Sequence, residues 1–227
     1  LGRKPGSPSA LMAAVEQILQ PSQSEMFFCQ VPVLVEGTED VAFLCTYLRL
    51  TNRWGEFRRL GCHLVVCGGK TSMSRPLAIA NGLDMPAFIV FDGDTDDPAR
   101  REETERDNRC LLLLSGQDEP VAPGTSVWGQ RAVMWRTKIL NELKNEAGEA
   151  AWNAAETAAR RSLGFEEGVG QKNPLLVAAC IEELWKGGFR SGLLEKLCKS
   201  ILTFADQQDE TGLVLGESEV KFRGDIP

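Results

Sequence analysis

Four short apolar runs stand out along the chain, each closed by turn residues: Pro32 to Val35, His63 to Cys67, Ala87 to Phe91 and Cys110 to Leu114. None alternates apolar with polar positions, and continuous hydrophobicity of this kind is what strands covered on both faces require. Between and after them lie stretches with helical spacing, Asp40 to Leu50, Arg75 to Leu83 and Pro98 to Asn108. Strand and helix in this alternation pack most simply as an α/β domain, a parallel sheet sandwiched between helices with right-handed crossovers. From Val127 the pattern changes to long helical stretches, with Trp135, Ile139, Leu140 and Leu143 on one face and Trp152, Ala155 and Ala159 on another. Asn173-Pro174 makes a helix start, Asn capping the first amides and Pro fitting the first turn, and this helix is predicted to run to Gly187-Gly188. With a further helix from Leu193 to Phe204, a mostly helical carboxyl-terminal subdomain is expected.

The ends read differently. Leu1 opens the chain in place of Met, and the Gly, Pro and Ser that follow read as a linker, so a fragment of a longer protein is expected. Leu11, Val15, Ile18 and Leu19 suit a short amphipathic helix that Pro21 ends, and the polar last stretch around Leu213-Val214-Leu215 is expected to be a tail.

With 227 residues, 43% hydrophobic and 25% charged, the composition is that of a globular protein with a sizeable core. No apolar run approaches the roughly 20 residues a bilayer demands, and no basic and apolar leader opens the chain. A soluble, cytoplasmic protein is expected. The 25 Lys and Arg set against 32 Asp and Glu give a net charge of −7, which argues against a protein that coats polyanions by charge alone. It leaves room for a DNA enzyme whose cations are supplied locally by divalent metal. Seven cysteines, an odd number with no C-x-x-C pair, and a single histidine, His63, give no zinc ligand spacing. The thiols read as small core residues in a reducing compartment.

The chemistry concentrates at strand ends. Ala87 to Phe91 runs straight into Asp92-Gly93-Asp94-Thr95-Asp96-Asp97, which puts carboxylates at the carboxyl edge of the sheet, where open α/β folds bind ligands. Alternation along an extended chain sends Asp92 and Asp94 to the same side. Acids so crowded raise one another's pKa unless a cation sits between them, and hard oxygen ligands in an open site suit Mg²⁺ or Mn²⁺. An EF-hand reading, with Asp92, Asp94, Asp96 and Glu103 as ligands, fails because Asp97 stands where the sharp turn needs Gly and a strand precedes the loop. In Val33-Leu34-Val35-Glu36-Gly37-Thr38-Glu39-Asp40 a second strand delivers Glu36 to its end, and Asp40 falls in the first turn of the next helix. The helix dipole alone would favour Asp40 there; it offers no such account of Glu36. Gly68-Gly69-Lys70-Thr71 looks like the end of a phosphate-binding loop, but Leu64 holds the place of its first Gly. A tight turn carrying Lys70 toward a phosphate or an acid remains.

V-E-G-T-E-D, G-C-H-L-V-V-C-G-G-K and F-I-V-F-D-G-D-T-D, in this order, resemble a Toprim domain, the metal-dependent module of topoisomerases, primases, recombination mediators and certain nucleases. The resemblance covers residues 27 to 118. Within that superfamily the chain is similar to the carboxyl-terminal region of OLD-family (overcoming lysogenization defect) nucleases. Phe27-Phe28-Cys29, Gly68-Gly69-Lys70 with Arg75-Pro76, and Lys172-Asn173-Pro174 carry that likeness to about residue 205.

The resemblance implies a linker and short helix over 1–26, a Toprim catalytic domain over 27–126, a helical subdomain over 127–206 and a tail over 207–227. It implies that Glu36, Asp40, Asp92 and Asp94, with Asp96 as a further ligand, bind Mg²⁺ or Mn²⁺, two ions in all, and that Lys172 corresponds to a catalytic lysine. Ser115, Asp118, Glu119 and Ser126 are candidates for the second ion's remaining ligands. The function implied is a DNA endonuclease fused to an amino-terminal ABC-type ATPase and open to oligomerisation in the full-length protein. Arg58, Arg59, Lys70 and Arg75 are candidate DNA contacts. Two rival readings stand beside it. One is a degenerate Toprim module that binds DNA or a partner protein. The other is a topoisomerase module, for which the only tyrosine, Tyr47, is expected to be buried.

Overall fold

The computed structural model describes residues 21–165 and 170–216; the expected helix over 10–19 and the end of the tail lie outside the described residues. Five strands form one sheet: β1 (Val31–Val35), β2 (Cys62–Val66), β3 (Phe88–Asp92), β4 (Val127–Trp128) and β5 (Ala132–Trp135). Their order is β2-β1-β3-β5-β4, parallel throughout except that β4 runs antiparallel to β5. Besides short helical turns at Pro21–Ser24, Glu25–Phe28 and Pro98–Arg100, the helices are α1 (Thr38–Leu50), α2 (Trp54–Arg59), α3 (Lys70–Gly82), α4 (Arg101–Leu114), α5 (Ile139–Ala147), α6 (Glu149–Leu163), α7 (Pro174–Lys186) and α8 (Gly192–Gly216).

The first three strands are apolar along their length because both faces of the sheet are covered. Val31, Val33, Val35, Phe88, Val90, Val133 and Trp135 point into one core, shared with α1 and the later helices. Leu34, Val65, Ile89, Phe91, Ala132 and Met134 point into the other, shared with α3 and α4. This is the period-two alternation of a strand, expressed in which core each residue enters rather than in polarity. On the first face α7 packs between α1 and α6, so the helical part is an extension of that layer.

Two expectations are corrected here. Cys110 to Leu114 is not a strand but the last turn and a half of α4. Leu111 and Leu112 are buried while Leu113 is 66% exposed, a helical distribution that a run of identical apolar residues conceals. Nor does the helical part begin at Val127: β4 and β5 come first, with Trp135 fully buried in the sheet. Trp135 stands four residues before Ile139, and that spacing mimics a helical face. The true fourth parallel strand is the short Ala-Val-Met-Trp run, paired with β3 from Ile89↔Ala132 to Asp92↔Trp135. The helix start at Asn173 is as read, its side chain accepting from the Leu175 and Leu176 amides at 3.0 and 3.3 Å. The last helix continues to Gly216, beyond the position where a tail was expected.

Candidate metal centre

Adjacent parallel strands end at one edge, and β1 and β3 are neighbours, so Glu36 and Asp92 emerge side by side. Glu36 Oε1 accepts the Asp92 amide hydrogen at 2.7 Å. Asp40 arrives from the first turn of α1, where its Oδ2 accepts from the Gly37 amide at 2.9 Å and closes the helix start. Asp92 Oδ1 accepts from the Ile139 amide at 3.0 Å, at the start of α5. Each acid thus places one oxygen on a backbone amide. No hydrogen bond among the described residues engages the other oxygen of any of the three.

The electrostatics are those of acids crowded without a compensating cation. Burial first, and then Glu36 and Asp40, hold Asp92 well above the ordinary carboxylate range. Asp40 is pushed up to about 7, chiefly by burial and further by Glu36 and Glu39. Glu36 is raised too, mainly by burial, against the opposing pull of the Asp92 amide and Lys70. Hard, partly buried carboxylates of this kind fit a divalent cation in donor chemistry. Among the described residues, no three His, Cys, Asp or Glu side chains are already gathered as a coordination set.

The turn after β3 is held from the facing β5 end. The Gly93 amide donates to the Trp135 carbonyl at 2.8 Å, the Asp94 amide to Thr137 at 3.0 Å, and Thr95 Oγ1 to Arg136 at 2.8 Å. Gly93 is required by close approach: a Cβ there would collide with the Trp135 carbonyl oxygen and lie 2.7 Å from that of Arg136. Asp94 follows with φ of 49°, a left-handed conformation that Asp tolerates better than most residues. Asn108, fully buried on α4, donates to the Gly93 and Val121 carbonyls at 2.9 Å each and ties the turn to that helix.

The glycine turn brings Lys70 to an acid. Gly68 and Gly69 have φ of 76° and 109°, the Gly69 amide donates to the Glu36 carbonyl at 2.9 Å, and Lys70 Nζ reaches Asp94 Oδ2 at 2.7 Å and the Asp92 carbonyl at 2.8 Å. With its side chain 9% exposed, Lys70 braces Asp94 and is not displayed as a DNA contact. Lys172 comes to the same edge from the turn before α7. Its Nζ donates to Glu39 Oε1 at 2.9 Å, and it lines a small cleft with Asp92, Lys138 and Ile139. A larger cleft of about 290 Å³ is lined by Glu36, Lys70, Asp94, Asp107 and again Lys138.

Other candidates stand elsewhere. Asp96 is exposed, 3.5 Å from Asn141 Nδ2, and lines neither cleft. Arg58 and Arg59 end the helix that leads into β2, so they lie at the amino edge of the sheet, opposite the acids. Arg75 is exposed on α3. Ser115 caps α4, with its hydroxyl on the Leu112 carbonyl and its own carbonyl on Arg131, just before β5, again at the amino edge. Asp118 and Glu119 are exposed in the loop beyond it. Ser126 is at the acid edge, but its hydroxyl accepts from the Arg136 amide at 2.9 Å. Tyr47 is buried, its hydroxyl donating to the Ser191 carbonyl at 2.9 Å, which is no place for a nucleophile. His63 pairs with Glu25 at 2.7 Å, at the start of β2. The described thiols are free; burial pushes Cys62, Cys67, Cys180 and Cys198 up to about 12, as expected of thiols packed in the core.

Residues 27–94, from the turn before β1 through Asp94, match the family described as Overcoming lysogenization defect protein-like, TOPRIM domain. This segment is similar to an OLD-like Toprim domain. The match spans Glu36, Asp40, Lys70, Asp92 and Asp94, the acids and the lysine gathered at one edge. Among solved structures, the chain is similar to the C-terminal region of the OLD protein of Xanthomonas campestris pv. campestris. That likeness has 17% identity over 85% of this chain and 99% of that one, with a TM-score of 0.46. The C-terminal region of the Burkholderia pseudomallei OLD protein is similar at 14% identity over 79% and 89% of the two chains, also with a TM-score of 0.46. No curated protein matches the chain. Among the described residues of the Toprim domain and the helices after it, no helix is long and apolar enough to cross a membrane.

Lys138 and Ile139 are the site residues that sequence reasoning missed. The signal was present: a short apolar run followed by polar residues and a helix is how Glu36 was found, and Ala132 to Trp135 before Arg136-Thr137-Lys138 repeats it.

Proposed function

We propose that this chain is a divalent-metal-dependent DNA endonuclease, acting beside an amino-terminal ABC-type ATPase domain as its resemblance to OLD nucleases implies. The observation that supports the reading is that Glu36, Asp40 and Asp92 stand close enough at one edge to raise one another's pKa, each with a carboxylate oxygen that no hydrogen bond among the described residues engages.

Glu36, Asp40 and Asp92 would hold Mg²⁺ or Mn²⁺, with Asp94 available to a second ion. Bound there, the ions would supply an acidified water as nucleophile and a positive charge for the leaving oxygen of the phosphodiester. The chain's own residues do the rest. The Ile139 amide fixes the Asp92 carboxylate, Lys70 braces Asp94, and the Gly93 turn is locked to Trp135 and Asn108. Lys172 sits where its ammonium, released from Glu39, would offset charge that builds on the phosphate in the transition state. Among the described residues no base-reading element accompanies the site, so cleavage with little sequence preference is expected.

Supercoiled plasmid tests the reading. Nicked and linear products are expected with Mn²⁺ or Mg²⁺ and none with EDTA. Plasmid that is bound but never broken with either metal would replace the enzyme by a non-cleaving DNA-binding module.

A further inference from the structure

Lys138 sits between the two residues that grip the D-x-D turn. The Thr137 carbonyl accepts from the Asp94 amide at 3.0 Å, the Ile139 amide donates to Asp92 Oδ1 at 3.0 Å, and the Lys138 carbonyl itself accepts from the Glu142 amide at 3.0 Å. The groups that residues 137–139 contribute are all backbone, so the position of Lys138 is fixed without using its side chain. That side chain is part-exposed and lines both clefts, the one with Glu36 and Asp94 and the one with Asp92 and Lys172.

The other two lysines at this edge have carboxylate partners, Lys70 on Asp94 and Lys172 on Glu39. Lys138 has no such ion pair among the described residues. An ammonium without a carboxylate partner, lining both clefts, is placed to receive an anion brought from outside.

We propose that Lys138 is a phosphate-binding residue of this site, meeting the nucleic-acid backbone where the two clefts join. The identity of the ligand rests on the nuclease reading; the charge contact does not require cleavage.

The test uses the full chain, a fluorescein-labelled 20-base-pair duplex and anisotropy in calcium chloride across a range of KCl concentrations, with wild type, Lys138→Met, Lys138→Gln and Lys138→Arg. Both neutral variants are expected to bind about tenfold more weakly. The slope of log K against log salt should become shallower by about 0.9, the signature of one lost phosphate contact. Lys138→Arg should stay within about twofold of wild type, since a phosphate accepts either cation, and melting temperatures should stay level. Wild-type affinity and slope in the neutral variants would overturn the proposal. So would weaker binding with an unchanged slope, or a wild-type protein with no salt-dependent affinity for the duplex. If the variants behave as expected while wild type never nicks plasmid in Mg²⁺ or Mn²⁺, the nuclease reading fails and the phosphate contact stands.

Discussion

Asp92→Asn is expected to abolish metal-dependent DNA cleavage, by on the order of 10³-fold or more, while making the metal-free protein harder to melt. The two effects have one cause. Asp92 is desolvated and faces Glu36 and Asp40, so its ionised form is costly wherever no cation offsets it. Asn keeps the shape, and its Oδ1 still accepts from the Ile139 amide, so the fold loses nothing there. What disappears is a negative oxygen that a metal would use.

The pH dependence follows from the same groups. In the folded, metal-free protein the carboxyls of Asp92, Asp40 and Glu36 hold protons that the unfolded chain has already released. The contribution of these three groups to stability is therefore greatest below the unfolded carboxylate pKa of about 4 and falls as pH rises. For Asp40 the loss runs from there up to about pH 7, and for Asp92 it runs up through a folded pKa also raised well above the ordinary value. Thermal melts of the metal-free protein should show the Asn variant's advantage growing between pH 5 and pH 8. A variant that melts lower than wild type at pH 8 would mean that Asp92 is held by compensation, not strained by its neighbours.

Gly93→Ala is expected to cost on the order of 3 kcal/mol and to take the acid edge with it. The added methyl meets two backbone carbonyls, Trp135 and Arg136, and neither can rotate away as a side chain could. Relief means parting β3 from the β5 end. That parting breaks the Gly93 and Asp94 amide bonds to Trp135 and Thr137 and draws Asp92 off the Ile139 amide. Chemical denaturation measures the loss, and metal binding by the surviving folded fraction should weaken as well. Wild-type stability in Gly93→Ala would show that the turn is looser than its hydrogen bonds indicate.

The first half of the chain was legible because its physics is local. Glu36 and Asp92 could be paired from sequence since each ends a strand too apolar to lie anywhere but inside a sheet, and strand ends share an edge. The second half hid its sheet. Ala132 to Trp135 is only four residues, and Trp135 falls in helical register with Ile139, so the fourth parallel strand was assigned to the leucines of α4 instead. With it went the neighbours of Asp94, and Lys138 could not be seen as part of the site. Arg58 and Arg59 are a different case. Their charge suggested DNA, yet a helix that leads into a strand ends at the amino edge, and chain order alone assigns them away from the acids. Lys172 is the opposite case, since the resemblance alone raised it and the fold brings it to Glu39, 133 residues earlier in the chain.

The most direct measurement is anomalous scattering from Mn²⁺ in crystals of the wild-type chain. A peak is expected at the carboxyl edge of β1 and β3, about 2.1 Å from an oxygen of Glu36 and one of Asp92, with Asp40 completing the set. Saturating Mn²⁺ that leaves no peak between these side chains, with Glu36 still bonded to the Asp92 amide and turned from its carboxylate, would contradict the account.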